Sequence, residues 1–74
     1  NPSTTIRFSL PEGEKTNLRV YNLLGQEVAE LINADLPAGN HVVEFDAKSL
    51  SSGVYFYRLS TSGFSTTKKM ILIR

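Results

Sequence analysis

The chain has no cysteine and no tryptophan, and only one histidine and one methionine. Without cysteine there is no disulfide staple and no thiolate metal site. The redox compartment stays open, because an exported fold can do without bridges. No apolar run approaches the roughly 20 residues of a membrane-spanning helix. A lone imidazole removes most metal and acid–base chemistry. The second part of the chain lacks acids altogether. Residues 1–46 carry three cations against seven anions, a net −4, whereas residues 47–74 carry Lys48, Arg58, Lys68, Lys69 and Arg74 unopposed, a net +5. Such a split either marks a partner-binding end or cancels in space when basic strands fold beside acidic ones. The compactness of a small domain favours cancellation.

Hydrophobic residues make up 41% of 74 residues, enough for one thin core. A chain this short hides only about 60% of its unfolded surface, so stability is expected on the order of 5 kcal/mol. The first residue is Asn1, and no leader pattern follows. The reading is one domain over residues 1–74, a piece of a longer secreted protein with any export signal upstream.

Five glycines close turn-like quartets: Leu10–Gly13, Asn22–Gly25, Leu36–Gly39, Leu50–Gly53 and Ser60–Gly63. Pro11 and Pro37 hold the second position of their quartets, where a fixed φ suits a type I turn. Between the turns lie six strand candidates. Thr4–Leu10 points Ile6, Phe8 and Leu10 to one face, and Lys15–Asn22 does the same with Leu18 and Val20. Gln26–Asn33 breaks its alternation at Val28, Leu31 and Ile32, which predicts a bulged strand. Asn40–Asp46 turns Val43 and Phe45 inward. Val54–Ser60 sets Tyr55, Tyr57 and Leu59 against Val54, Phe56 and Arg58. Phe64–Arg74 ends in Met70-Ile71-Leu72-Ile73, apolar on both faces, so it is either central and covered or an edge awaiting a partner. Short strands with regular turns predict an all-β fold, an immunoglobulin-like antiparallel sandwich of six or seven strands.

Chemistry is sparse. His41, Asp46 and a serine assemble a triad only on paper. Asp35, Glu44 and Asp46 follow no calcium-loop spacing, and no zinc or phosphate-loop pattern occurs. No catalytic residue, metal or cofactor is expected. The net charge of +1 is too small for counterion-driven nucleic-acid binding. Gly53 is expected to serve a turn, and Tyr55 to pack inward with its hydroxyl on a main-chain partner.

Three segments together carry a resemblance: Asn1-Pro2-Ser3-Thr4-Thr5-Ile6, then Val20-Tyr21-Asn22-Leu23-Leu24-Gly25-Gln26-Glu27-Val28, then Leu50-Ser51-Ser52-Gly53-Val54-Tyr55-Phe56-Tyr57-Arg58-Leu59 before a basic, apolar tail from Lys68 to Arg74. The ordered set resembles the C-terminal sorting domain of proteins exported by the type IX (Por) secretion system of Bacteroidetes, and is also similar to the immunoglobulin-like domain of the flagellar hook-cap family. The opening departs from the family pattern, since Ser3-Thr4-Thr5 follows Pro2 without a glycine.

The resemblance implies a non-catalytic address label on an upstream cargo domain. The cargo would pass through the periplasm and be taken up by an outer-membrane translocon and its shuttle protein. A sortase would usually remove the label at the cell surface. Carried over onto this sequence, the recognition elements are Gly53, Val54 and Tyr55, with Lys68, Lys69 and Arg74. An exposed last strand would add to a partner's sheet, its cations steering the encounter. Weak pairing of two copies through that strand is also expected. The alternative is an accessory spacer or glycan-binding domain of a surface hydrolase, with Tyr55 and Phe56 as stacking rings.

Overall fold

The computed structural model describes residues 3–73. These residues form six strands and no helix: β1 (Ser3–Leu10), β2 (Glu14–Asn22), β3 (Glu27–Leu36), β4 (Gly39–Asp46), β5 (Gly53–Thr61) and β6 (Ser65–Leu72). All pairings are antiparallel. β1 and β4 make a two-stranded sheet, and the order β3-β2-β5-β6 makes a four-stranded one. The expected sandwich is therefore present, with six strands.

The chain crosses between the sheets three times, twice at a proline corner. The two proline corners, after β1 and after β3, each carry the chain from one sheet to the other. They lie side by side: a Cβ on Gly13 would sit 3.3 Å from the Leu36 carbonyl oxygen. Of the proline-free connections, those between β2 and β3 and between β5 and β6 close hairpins within the larger sheet, while that between β4 and β5 crosses from the smaller sheet to the larger. At Asn22–Gly25 the Gly25 amide donates to the Asn22 carbonyl at 3.0 Å, and Gly25 takes φ 85°. The Asn22 carboxamide oxygen accepts from the Leu24 and Gln26 amides, each at 3.0 Å.

Two expected turns move by one or more residues because side chains cap them elsewhere. Thr61 Oγ1 accepts from the Gly63 and Phe64 amides, so that turn runs from Thr61 to Phe64 rather than from Ser60 to Gly63. Asp46 Oδ1 accepts from the Lys48 amide, and the Leu50 amide donates to the Ala47 carbonyl at 2.9 Å. The turn thus spans Ala47–Leu50, and Gly53 is left as the first residue of β5.

The alternation of each strand decides what is buried. Leu18 and Val20 of β2 are fully enclosed between the layers. Ile6, Leu18 and Leu59 form one cluster; Val20, Phe45, Ala47, Tyr55 and Leu72 form the other. Leu31 and Tyr57 touch both. The register of β2 against β3 slips twice, skipping Leu31 and Val28. The broken alternation is thus a doubly bulged strand, which turns two extra apolar side chains toward the core.

Candidate interaction site at the C-terminal edge strand

Two sequence segments about fifteen residues apart become one ladder. Gly53 pairs with Leu72, Val54 with Ile71, Tyr55 with Met70, Phe56 with Lys69 and Tyr57 with Lys68. Directly paired residues share a face of the sheet. Gly53, Tyr55, Met70 and Leu72 therefore face the core, while Val54, Phe56, Lys69 and Ile71 face outward.

β6 is held at one end and open along its length. Leu72 is 5% exposed and packs with Tyr55 and Phe45. Its neighbours Ile71 and Ile73 are 62% and 82% exposed. The run apolar on both faces is an edge strand with a buried anchor. Its free side presents the outward-pointing N–H and C=O groups of every second residue.

Lys68 and Lys69 are both exposed, and they point to opposite faces. Lys68 has the parity of the core face, yet a two-stranded layer is too narrow to cover the edge of a four-stranded one. No ion pair reaches either lysine among the described residues. The expected cancellation of charge does not occur here. β6 neighbours β5 alone, whose one charge is Arg58, and the acids of β3 lie across the sheet. Of the basic group, Lys48 finds an acid, with its Nζ 3.7 Å from Asp46. Arg74 lies outside the described residues.

Tyr55 is 7% exposed and its hydroxyl donates to the Ser51 carbonyl at 2.9 Å. The ring is core, as expected, and is not a surface platform for sugar. This removes half of the stacking pair on which the glycan reading rested. Gly53 takes φ 153°, and the space a Cβ would enter is empty. Its backbone, not crowding, asks for glycine.

Sequence reasoning named Phe56 and Arg58 on the outer face of β5 but not their neighbour Tyr21 on β2. The Arg58 guanidinium lies over the Tyr21 ring, 5.2 Å from its centroid, and donates to the Tyr21 hydroxyl at 3.0 Å. With Phe56, Leu23 and Thr67 these groups line a shallow groove. Directly opposite Arg58 stands Arg19. Two guanidiniums tolerate this because Arg19 is drawn away to Glu30 at 3.1 Å and Glu27 at 3.8 Å. Desolvation pulls the Arg19 guanidinium downward, but Glu27, then Tyr21 and Glu30, outweigh it and hold it above its ordinary value. It stays cationic at any physiological pH. The period-two parity of Tyr21 and Arg58 was the signal available for this pairing.

The paper triad is not assembled. His41 Nε2 sits 2.8 Å from the Pro37 carbonyl oxygen, and its ring stacks on Phe8 at 5.3 Å. Asp46 lies at the far end of the same strand, about 17 Å along the backbone. No group of His, Asp and Glu suited to a metal occurs among the described residues.

A small two-layer body of six antiparallel strands with one open edge defines a class: a small β-sandwich domain. Residues 1–73 match the secretion system C-terminal sorting domain family, and the chain belongs to it. The domain is the C-terminal signal by which cargo of the type IX system is sorted. It implies a secretion machinery, an upstream cargo, and export to the cell surface or beyond. No curated protein and no solved structure matches the chain.

Proposed function

We propose that the sorting signal is read at the free edge of β6. The single observation that carries this is the unpaired edge itself: an anchored strand with Lys68, Lys69, Ile71 and Ile73 exposed and no acid beside them. A carrier serving many cargoes has to read a feature common to all of them. Main-chain groups of an edge strand meet that need, and flanking side chains add selectivity. In this reading Gly53 and Tyr55 do not touch the partner. They fix β5 and the Ser51–Gly53 corner, against which β6 lies. Val54 widens the apolar strip beside Ile71, and Lys68, Lys69 and Arg74 steer and orient the encounter.

The readers are the outer-membrane translocon and its shuttle protein, met in the periplasm, followed by a sortase at the surface. Residues 1–74 act as one non-enzymatic domain at the C-terminal end of a longer exported protein. The test is a reporter fused ahead of this chain in a type IX-competent cell. Removing residues 68–74 should strand the reporter in the periplasm, and normal export of the truncated fusion refutes the proposal.

A further inference from the structure

We infer that the strand docking on β6 carries two consecutive carboxylates, flanked by apolar residues where it passes Met70 and Ile71. This rests on the sorting-edge reading above and gives the partner a chemistry.

The argument starts from parity. Lys68 and Lys69 are neighbours in a strand, so one side chain projects from each face of the sheet. A strand added along the free edge places one residue opposite each lysine, with Cβ atoms about 5 Å apart. Opposite charges there are favourable and like charges are not. Satisfying both lysines takes one acid on each face, which in a strand means two acids in succession. Two residues further on, Ile71 stands exposed on the outer face, with Val54 behind it. Met70 is half-buried on the inner face. The partner must therefore turn apolar on both faces at that end.

Other occupants fit less well. A phosphate backbone or an anionic membrane wants cations on one surface, and these two point apart. A second copy of the chain, paired symmetrically about the lysines, sets Lys68 and Lys69 against their own equivalents. In this chain's β3, Glu27 and Glu30 are committed to Arg19, no two acids are consecutive, and the strand bulges twice.

The experiment is a titration of the isotope-labelled 74-residue chain with the heptapeptide Val-Val-Val-Glu-Glu-Thr-Thr, followed by amide chemical shifts. The control peptide replaces Glu-Glu by Lys-Lys. The expected result is a set of shifts centred on Thr66–Ile71, with the acidic peptide bound about three- to thirtyfold tighter than the control. The double variant Lys68→Glu/Lys69→Glu should invert that preference. Both side chains are exposed, so the variant keeps the fold. Equal binding of the two peptides, shifts centred on β3 or on the Arg58 groove, or concentration-dependent pairing of the chain with itself would each overturn the inference. The two readings fail separately. If truncation blocks export while the peptides bind alike, edge reading stands and the acidic partner falls. If the truncated fusion is exported normally, edge reading falls whatever the peptides do.

Discussion

β3 and β6 are the two edges of one sheet and face the same hazard, a row of unpaired main-chain groups. β3 runs ten residues and slips register twice, which bends the strand and breaks the regular row that another strand needs. Its acids Glu27 and Glu30 are occupied by Arg19. β6 runs eight residues in unbroken register with β5. Its lysines are unoccupied among the described residues, and two isoleucines stand in water. The same chain therefore knows how to close an edge and leaves one open. Lysines deter random pairing without preventing a matched partner. A gatekept edge and a docking edge are one structure here, separated only by what approaches.

The largest effect should come from cutting the anchor that holds β6 in place. Leu72→Ala removes the one fully inward side chain near the end of that strand and should cost about 2–3 kcal/mol. Against a total near 5 kcal/mol that is a large loss. Urea unfolding should report it, and hydrogen exchange should show β6 amides losing protection before those of β2. Equal loss of protection in β2 and β6 would mean that β6 is not a separately anchored edge. Deleting Leu31 comes next. It straightens the bulge between Leu18 and Arg19, making β3 more like β6, and forfeits about 2 kcal/mol of packing. Light scattering should then show more self-association than in the parent chain.

Much of this contrast was legible in the sequence, and the missing part has a physical reason. The inward sets of β1, β2, β4 and β5 follow from period-two alternation, and the bulged β3 follows from its failure at Val28, Leu31 and Ile32. These are local signals. The strand order is not local. Nothing in the spacing of Lys68 and Lys69 says that the acidic strand lies three positions across the sheet, so the expected cancellation of charge is found at Lys48 and not at β6 among the described residues. Nor did the tail show which apolar residue is buried, since Met70-Ile71-Leu72-Ile73 reads alike on both faces until β5 is placed beside it. The shifted turns at Thr61 and Ala47 came from side-chain caps, Thr61 Oγ1 and Asp46 Oδ1, that compete with glycine for the corner.

Smaller effects sharpen the comparison at the seam between β5 and β6. Tyr55→Phe keeps the ring and loses the hydrogen bond to the Ser51 carbonyl, about 1 kcal/mol by thermal unfolding. Gly53→Ala meets no clash, only an unfavourable φ, and should cost about 1 kcal/mol. If both variants weaken export no more than their stability loss explains, Gly53 and Tyr55 position the edge. A greater defect at unchanged stability would make them contacts.

The smallest change in stability should belong to Lys68→Glu/Lys69→Glu. Neither side chain is buried or paired among the described residues, so unfolding should move by no more than about 0.5 kcal/mol. The same reversal at Glu27 and Glu30 would strip Arg19 of its partners and set it among like charges. It should register in unfolding and leave export untouched. The two reversals thus act on different quantities: charge on β3 serves the fold, and charge on β6 serves an encounter. An export defect from the β3 reversal at full stability, or normal export with both β6 lysines reversed, would erase the distinction between the edges.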